Sequence, residues 1–295
     1  MPAALLMLFS TLLFATMGVT VKLASAHYGT GEIVFYRGLV GASLMALLAR
    51  HRGISLRTPV PAMHFWRGFS GVSALTLWFY AIGNLPLATA VTLNYMSSVW
   101  MALFLLGGAV LMGANRVDGR LVLTVLLGFA GVAMILRPTI EQNQLWHGLT
   151  GLLSGILSAT AYLQVTALGR AGEPELRVVF YFSLGGMVVG AVIALIEGPH
   201  AHTASGAALL LATGLLASLA QLLMTRAYAI GRPLVNASLQ YLGIVFSFGY
   251  GVWLFKDPIT GLALAGMLTI IGAGVAATAL RHETAPRSVT PTAES

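Results

Sequence analysis

The side chains best suited to chemistry are neutral polar or aromatic groups that recur at matching positions in the two halves of the chain. The stretch Val91-Thr92-Leu93-Asn94-Tyr95 is echoed by Ala237-Ser238-Leu239-Gln240-Tyr241. An amide beside a tyrosine therefore stands within each of two long apolar stretches. Asn and Gln carry N–H donors and a carbonyl acceptor, and aromatic faces attract ammonium groups. The pattern predicts a binding site for a small zwitterion that bears an amine and a carboxylate.

Further candidates lie in other apolar stretches, again away from the charged residues. Each has a structural interpretation that competes with a role in binding. Ser and Thr in membrane helices often bond to their own backbone, and Asn or Gln can join two helices, which is worth about 0.6 kcal/mol on average. With the two echoed pairs, the predicted substrate-binding set is Thr16, Trp78, Asn94, Tyr95, Gln164, Gln221, Gln240 and Tyr241.

The sequence shows no signature of an enzyme. It lacks the nucleophile elbow, the zincin motif and the phosphate-binding loop, and it contains no cysteine. The acidic residues of the predicted spans fall at helix ends, at Glu32, Glu173, Glu175 and Glu197. We therefore expect no catalytic residue, no metal and no cofactor, and no carboxylate relay for protons through the membrane.

The composition requires a membrane protein. The chain is 57% hydrophobic and only 8% charged, whereas a soluble domain has roughly 25% charged residues. A spanning helix needs about 20 mostly apolar residues, and we count ten candidates. They are approximately residues 3–25, 31–50, 64–83, 87–111, 119–137, 147–169, 175–196, 204–230, 234–255 and 259–281.

The basic residues predict the orientation of these helices. Twelve arginines flank the start or end of helices on the side of the N-terminus, among them Arg67, and four basic residues lie on the other side. Cytoplasmic loops carry the excess of Lys and Arg, so both termini are expected in the cytoplasm. The net charge of +7 is explained in this way, and no nucleic acid is expected as a partner.

Lys22 and Arg37 are exceptions, because they lie inside predicted spans near the outer ends. The default expectation is that both side chains snorkel to the outer surface. The alternative is that one of them meets a substrate carboxylate in an outer vestibule.

Internal repetition organises the chain. Tyr80-Ala81-Ile82-Gly83 recurs as Tyr228-Ala229-Ile230-Gly231, and Phe35-Tyr36 recurs as Phe180-Tyr181, at an offset of about 145 residues. Because each half holds five predicted helices, the second copy is inverted in the membrane. We predict a first repeat over residues 3–137, a second over 147–281, and a disordered cytoplasmic tail over 282–295. A monomer is expected, since the small-residue motifs of the helices are too common to define a dimer interface.

These features resemble the EamA repeats of the drug/metabolite transporter superfamily. The resemblance rests on the five-helix repeats and on Thr225-Arg226-Ala227-Tyr228-Ala229-Ile230-Gly231 leading into Ala237-Ser238-Leu239-Gln240-Tyr241-Leu242. It implies an all-α fold of ten transmembrane helices in which predicted helices 1, 3, 4, 6, 8 and 9 line a central cavity. Within the superfamily, the chain is most similar to the YddG-like amino-acid exporters. It departs from the family at Asp257, where many members have glutamate.

The sequence thus predicts a secondary transporter that exports aromatic and other neutral amino acids across a bacterial inner membrane by alternating access. A drug/metabolite or nucleotide-sugar carrier of the same fold is the first alternative. A phosphate-bearing substrate would need a lysine or arginine facing the cavity, and the predicted spans hold none near their centres. A remote alternative is an intramembrane lipid-modifying enzyme, which would need paired carboxylates or a metal cluster.

Overall fold

The computed structural model describes residues 1–111, 144–258 and 260–283, together with residues 123, 126–128, 130, 131 and 134. Within these residues the chain forms helices and no strands. The fifth predicted helix, over 119–137, and the tail beyond residue 283 lie outside the continuously described segments. The helices are α1 (Ala3–Ala24), α2 (Thr30–His51), α3 (Pro61–Asn84), α4 (Leu87–Tyr95), α5 (Ser97–Leu111), α6 (Leu145–Arg170), α7 (Glu175–Glu197), α8 (Ala204–Ile230), α9 (Pro233–Gln240), α10 (Leu242–Tyr250), a π-helix (Gly251–Phe255) and α11 (Gly261–Glu283).

Six helical segments of the described chain are long and apolar enough to cross a membrane; α4 and the start of α5 together form one of them. The exterior of the helix bundle is suited to contact with lipid, because large apolar side chains such as Leu195, Ile196 and Trp253 are more than three-quarters exposed. Predicted and observed helix limits agree closely for α1, α2 and α6 to α8. The all-helical membrane architecture is confirmed, and the count of ten spans stays a prediction.

Three helix pairs form the centre of the molecule. α2 packs along α7, α1 along α8, and α3 along α6. Each pair joins the first half of the chain to the second. In the sequence repeat, α1 corresponds to α6, α2 to α7 and α3 to α8. The α1–α8 and α3–α6 pairs are therefore equivalent, and the α2–α7 pair joins two corresponding helices.

Interhelical hydrogen bonds lie in two of these interfaces. Ser10 Oγ donates to the carbonyl oxygen of Ala220 across α1 and α8 at 2.8 Å. Thr213 Oγ1 donates to Thr20 Oγ1 in the same interface at 2.8 Å. Across α3 and α6, Ser70 Oγ donates to Gln164 Oε1 at 2.8 Å. Polar residues therefore join the two halves at fixed registers along the helices.

Glycines bring α2 and α7 unusually close. A Cβ atom on Gly38 would lie 2.3 Å from the backbone nitrogen of Met187, and one on Gly190 would lie 2.3 Å from that of Phe35. At the N-terminal end of α2 in the same interface, a Cβ on Gly31 would lie 2.4 Å from the nitrogen of Ala194. Small residues permit this backbone contact.

Two helices are interrupted at corresponding positions of the two halves. α4 ends at Tyr95 and α5 begins at Ser97, while α9 ends at Gln240 and α10 begins at Leu242. Each interruption is a single residue, Met96 or Tyr241, that keeps right-handed helical dihedral angles. α4 and the start of α5 therefore still form one apolar segment of membrane length. Both interruptions lie beside the amide–tyrosine pairs of the sequence repeat.

Candidate functional site

A narrow pocket with a cavity volume of about 40 Å³ lies where the central helices meet. Its lining comes from both halves of the chain: α1 to α4 supply one part, and α6 to α9 supply the other. Aromatic, amide and guanidinium groups share the wall. Among the residues that the structure describes, no acidic side chain lines this pocket.

Five of the eight predicted site residues line this pocket, namely Trp78, Asn94, Tyr95, Gln221 and Gln240. All five are buried. The rings of Trp78 and Tyr95 lie 6.3 Å apart between centroids and form an aromatic corner. Trp78 Nε1 and Gln221 Nε2 are buried donors without a hydrogen-bond partner in the described part of the chain. Buried donors of this kind are costly unless a ligand or water accepts their hydrogen bonds.

The other three predicted site residues are not among the lining residues. The Thr16 hydroxyl lies 3.0 Å from the Tyr250 hydroxyl and donates to the backbone of its own helix at Leu12. Gln164 accepts the Ser70 hydrogen bond between α3 and α6. Tyr241 is buried at the interruption between α9 and α10. For Thr16 and Gln164 the structure thus shows the helix-joining role that competed with binding.

Asn94 both lines the pocket and joins two helices. Its amide nitrogen donates to Ser154 Oγ at 3.0 Å and to Ser158 Oγ at 3.1 Å, both on α6. Gly155 allows this approach, because a Cβ there would lie 2.7 Å from the carbonyl oxygen of Leu93. With both N–H donors used in the protein, the amide oxygen of Asn94 is the group left to act as an acceptor.

Two buried arginines change the chemistry of the pocket. Arg37 on α2 and Arg67 on α3 are 2% and 3% exposed, and both line it. Their guanidinium carbons lie 4.7 and 4.2 Å from the ring centroid of Phe182 on α7. The Nε and Nη1 atoms of both arginines are buried with no acceptor among the described residues. Four buried cationic donor atoms therefore lack a partner in the described part of the chain.

These positions differ from two expectations from the sequence. Arg37 does not snorkel to the surface. Although neither arginine lies near the centre of its predicted span, both face the cavity. α3 begins at Pro61, so Arg67 lies inside the helix, in its second turn. A long side chain can carry its charge well away from its own Cα, and here both side chains carry it towards the pocket.

Holding two arginines in this place costs free energy. A charged side chain at the membrane centre costs about 2.5–3.5 kcal/mol on insertion scales. Because both guanidinium groups lie against the same ring, their unit charges repel by about 2 kcal/mol or more at an effective dielectric constant of about 20. Cation–π contact with Phe182 offsets about 0.5–2 kcal/mol for each arginine. The rest of this free-energy cost is not offset by contacts within the described residues. Buried charge of this kind is typical of a functional site inside the membrane.

The sequence contained a signal for the contact between Arg37 and Phe182. Phe35-Tyr36 is echoed by Phe180-Tyr181, and the next residue in each stretch is Arg37 or Phe182. Following that register by one more residue indicates the pair that is now in contact. The charged residues within the predicted spans were the second signal, because intramembrane charge indicates function.

Above the pocket, contacts on the predicted outer side tie the two halves together. Lys22 Nζ lies 3.7 Å from Asp257 Oδ1 and donates to the carbonyl oxygen of Leu85 at 2.7 Å. Asp257 Oδ2 accepts from the backbone N–H of Leu87 at the start of α4, at 2.8 Å. We call Lys22, Leu85, Leu87 and Asp257 the outer link. Lys22 is therefore held by a carboxylate and a carbonyl group of the protein itself.

The predicted cytoplasmic side has its own polar cluster around Glu173. Its carboxylate accepts hydrogen bonds from Arg177 Nη1 at 2.9 Å and from Thr58 Oγ1 at 3.2 Å. It also lies 2.8 Å from His64 Nε2. Arg177 also donates to the carbonyl oxygen of Ser55 at 2.7 Å. We call Thr58, His64, Glu173 and Arg177 the inner cluster. It fixes the α2–α3 loop and the start of α3 against the start of α7.

The fold and the pocket define a multi-pass membrane protein with a central polar site enclosed by both halves of the chain. This is the architecture of a small-molecule transporter, and comparison with known proteins identifies the family. The sequence model of the EamA-like transporter family matches residues 1–137. A pseudopaline exporter, CntI of Pseudomonas aeruginosa PAO1, is 32% identical over 273 residues, which cover 92% of this chain and 94% of the exporter. The chain belongs to the EamA-like transporter family of the drug/metabolite transporter superfamily.

More distant relatives are transporters as well. A riboflavin transporter of Rhizobium johnstonii is 28% identical over 222 residues, covering 75% of this chain and 70% of that protein. An S-adenosylmethionine uptake transporter of Rickettsia felis is 25% identical over 252 residues, covering 82% and 80%. A solved crystal structure covers 96% of this chain and 99% of its own, with a TM-score of 0.69 and 20% identity. That likeness shows the shared fold.

Proposed function

We propose that this protein is a secondary transporter that exports small metabolites of amino-acid character across a bacterial inner membrane. The observation that carries the proposal is the central pocket, where amides, aromatic rings and guanidinium groups from both halves of the chain converge. Guanidinium groups bind carboxylates, Trp78 and Tyr95 offer ring faces to an apolar side chain or an ammonium group, and Gln240 brings an amide carbonyl. The named exporter among the relatives supports the outward direction.

The mechanism we propose is alternating access in two inverted repeats, over residues 3–137 and 147–281, with both termini in the cytoplasm. Two features support it: the helix pairs that interchange with the halves and a pocket at the interface of the halves. Rocking one half against the other would expose the pocket to each side in turn.

The direct test is transport. Proteoliposomes that contain the purified protein are loaded with radiolabelled amino acids: glutamate, threonine, methionine and phenylalanine. We expect faster loss of label for at least one of them than from protein-free liposomes. Equal loss for every amino acid tested would remove the amino-acid assignment.

A nucleotide-sugar carrier is the second candidate, and Arg37 and Arg67 favour it more than the sequence did. Guanidinium groups bind phosphate as well as carboxylate, and the sequence argument against this class was the supposed lack of an arginine at the pocket. Efflux of UDP-glucose from the same proteoliposomes, with no efflux of any amino acid, would select this candidate.

The pocket amides are expected to contribute to transport. Replacing Asn94 or Gln240 with alanine should lower the efflux rate about tenfold, since one hydrogen bond in a buried site is worth about 1.5 kcal/mol. Asn84→Ala is the matched control, because Asn84 is exposed and its side-chain amide donates to the carbonyl oxygen of Tyr80 in its own helix. Parental rates in both pocket variants, with parental expression, would place the site elsewhere.

The outer link is expected to hold the pocket closed towards the outside. Asp257→Asn should favour opening by roughly fivefold, because a partly exposed ion pair contributes up to about 1 kcal/mol. The chain lacks cysteine, so a single Ala161→Cys substitution in the pocket wall supplies a reporter. We expect faster alkylation by a membrane-impermeant maleimide added from outside.

The matched control for this measurement is Glu175→Gln, which removes a carboxylate on the other side of the protein, where it pairs with Arg226. It should leave the outside labelling rate unchanged. Equal labelling of the Asp257→Asn variant and its parent would show that the outer link does not control access.

A further inference from the structure

We propose that Arg37 and Arg67 form a paired anion site around Phe182, and that the physiological substrate carries two carboxylates and at most one amine. This inference rests on the proposed function and specifies the substrate class for the same pocket. Its basis is the presence, in one pocket, of two buried guanidinium groups with unpartnered donors and no acidic lining residue in the described chain.

The geometry places both cations on one aromatic ring. The guanidinium carbons lie 4.7 and 4.2 Å from the Phe182 centroid, so their separation cannot exceed the sum of those distances. The two arginines come from different helices, α2 and α3. A single ligand can therefore reach both charges, and two anionic groups on one short backbone match them best.

The charge balance selects the class of ligand. An ordinary zwitterion has no net charge, so its binding would leave the +2 charge of the arginine pair uncompensated, and its ammonium would add to the repulsion. A dicarboxylate with one amine carries a net negative charge. Its carboxylates can accept hydrogen bonds from the guanidinium donors, while Trp78 and Tyr95 can hold the ammonium against their rings.

Local packing makes room for the guanidinium group of Arg67 in the pocket. A Cβ on Gly71 would lie 1.7 Å from Arg67 Nη1 and 3.0 Å from the Phe182 ring. Glycine at this position therefore makes room for the Arg67 guanidinium beside the ring. Alanine there would displace the guanidinium without removing its charge, which provides a second way to disturb the site.

The test uses purified full-length protein and a ligand series. The dicarboxylates are aspartate, glutamate, 2-aminoadipate and 2-aminopimelate; the matched neutral ligands are asparagine, glutamine and norleucine. Binding is followed by quenching of tryptophan fluorescence, since Trp78 lines the pocket, and transport by counterflow in proteoliposomes. We expect dicarboxylates to bind at least tenfold more tightly than the neutral ligands, with one optimal chain length.

Three variants examine the arginine pair. Arg37→Gln and Arg67→Gln should each weaken dicarboxylate binding at least tenfold and leave binding of neutral ligands within about twofold. Gly71→Ala should produce the same loss of preference and keeps the test valid if a glutamine variant does not fold. The control is Arg226→Gln, which removes a charge that is 55% exposed and should not change the preference.

The outcomes separate this inference from the proposed function. Transport of neutral amino acids with no preference for dicarboxylates would overturn the paired anion site and leave the proposed function standing. Arginine-dependent transport of UDP-glucose alone would overturn both. A dicarboxylate preference that persists in Arg37→Gln, Arg67→Gln and Gly71→Ala would also overturn the site, because the charge would then be recognised elsewhere.

Discussion

Replacing Gly38 with alanine is expected to destabilise the folded protein by about 3 kcal/mol or more, at the upper end of overpacking costs. The new methyl group would lie 2.3 Å from the backbone nitrogen of Met187, and a backbone atom cannot rotate away as a side chain can. α2 and α7 would have to separate, and Arg37 and Phe182 are carried by these helices. Gly190→Ala, at the reciprocal contact with Phe35, should act in the same way.

Gly68→Ala is the matched control, because a Cβ there has no neighbour within 4 Å. In a helix interior, alanine is favoured over glycine by about 1 kcal/mol, so this variant should be neutral or slightly more stable. Thermal unfolding of the three variants in detergent, followed by circular dichroism, provides the comparison. A Gly38→Ala melting temperature equal to that of Gly68→Ala would show that α2 and α7 do not approach as described.

Removal of the Glu173 carboxylate is also expected to lower the free energy of unfolding strongly. Glu173→Ala should cost about 3–5 kcal/mol, the range for a buried ion pair that loses one partner. The Glu173 side chain is 2% exposed, and its oxygens contact His64, Thr58 and Arg177. Without them, Arg177 and the His64 ring lose their common partner, and the link between the α2–α3 loop and α7 is broken.

The control lies two residues along the chain. Glu175 pairs with Arg226, whose side chain is 55% exposed, and exposed pairs contribute about 0–1 kcal/mol. Glu175→Ala should therefore shift the melting temperature only slightly. If Glu173→Ala and Glu175→Ala unfold at the same temperature, the inner cluster does not stabilise the fold.

The sequence predicted membrane insertion and most helix limits because they depend on local composition. An apolar run of about 20 residues spans the bilayer whatever its neighbours are. Repetition predicted the pocket amides as well, since Asn94 and Gln240 were found from their shared place beside a tyrosine. The interruptions within the spans 87–111 and 234–255 were missed, because no proline or glycine stands at Met96 or Tyr241 to indicate them.

Polar residues proved harder to assign, because their partners lie far away in the chain. Gln164 and Gln221 are alike in sequence terms, as single glutamines within apolar helices. Only packing distinguishes them: Gln164 accepts a hydrogen bond from Ser70 in a helix interface, whereas Gln221 has an unpartnered nitrogen and lines the pocket.

By itself, the sequence determined that this is a helical membrane protein and where its neutral polar groups lie, because hydropathy and repetition are properties of the linear chain. Only the tertiary structure decided the charge of the site. Arg37, Arg67 and Phe182 come from three helices, and their meeting depends on the glycine contact between α2 and α7 and on the direction of two long side chains. Such convergence is a property of packing in three dimensions: the repeat aligns Arg37 with Phe182 in the sequence, but only the structure shows that their side chains meet.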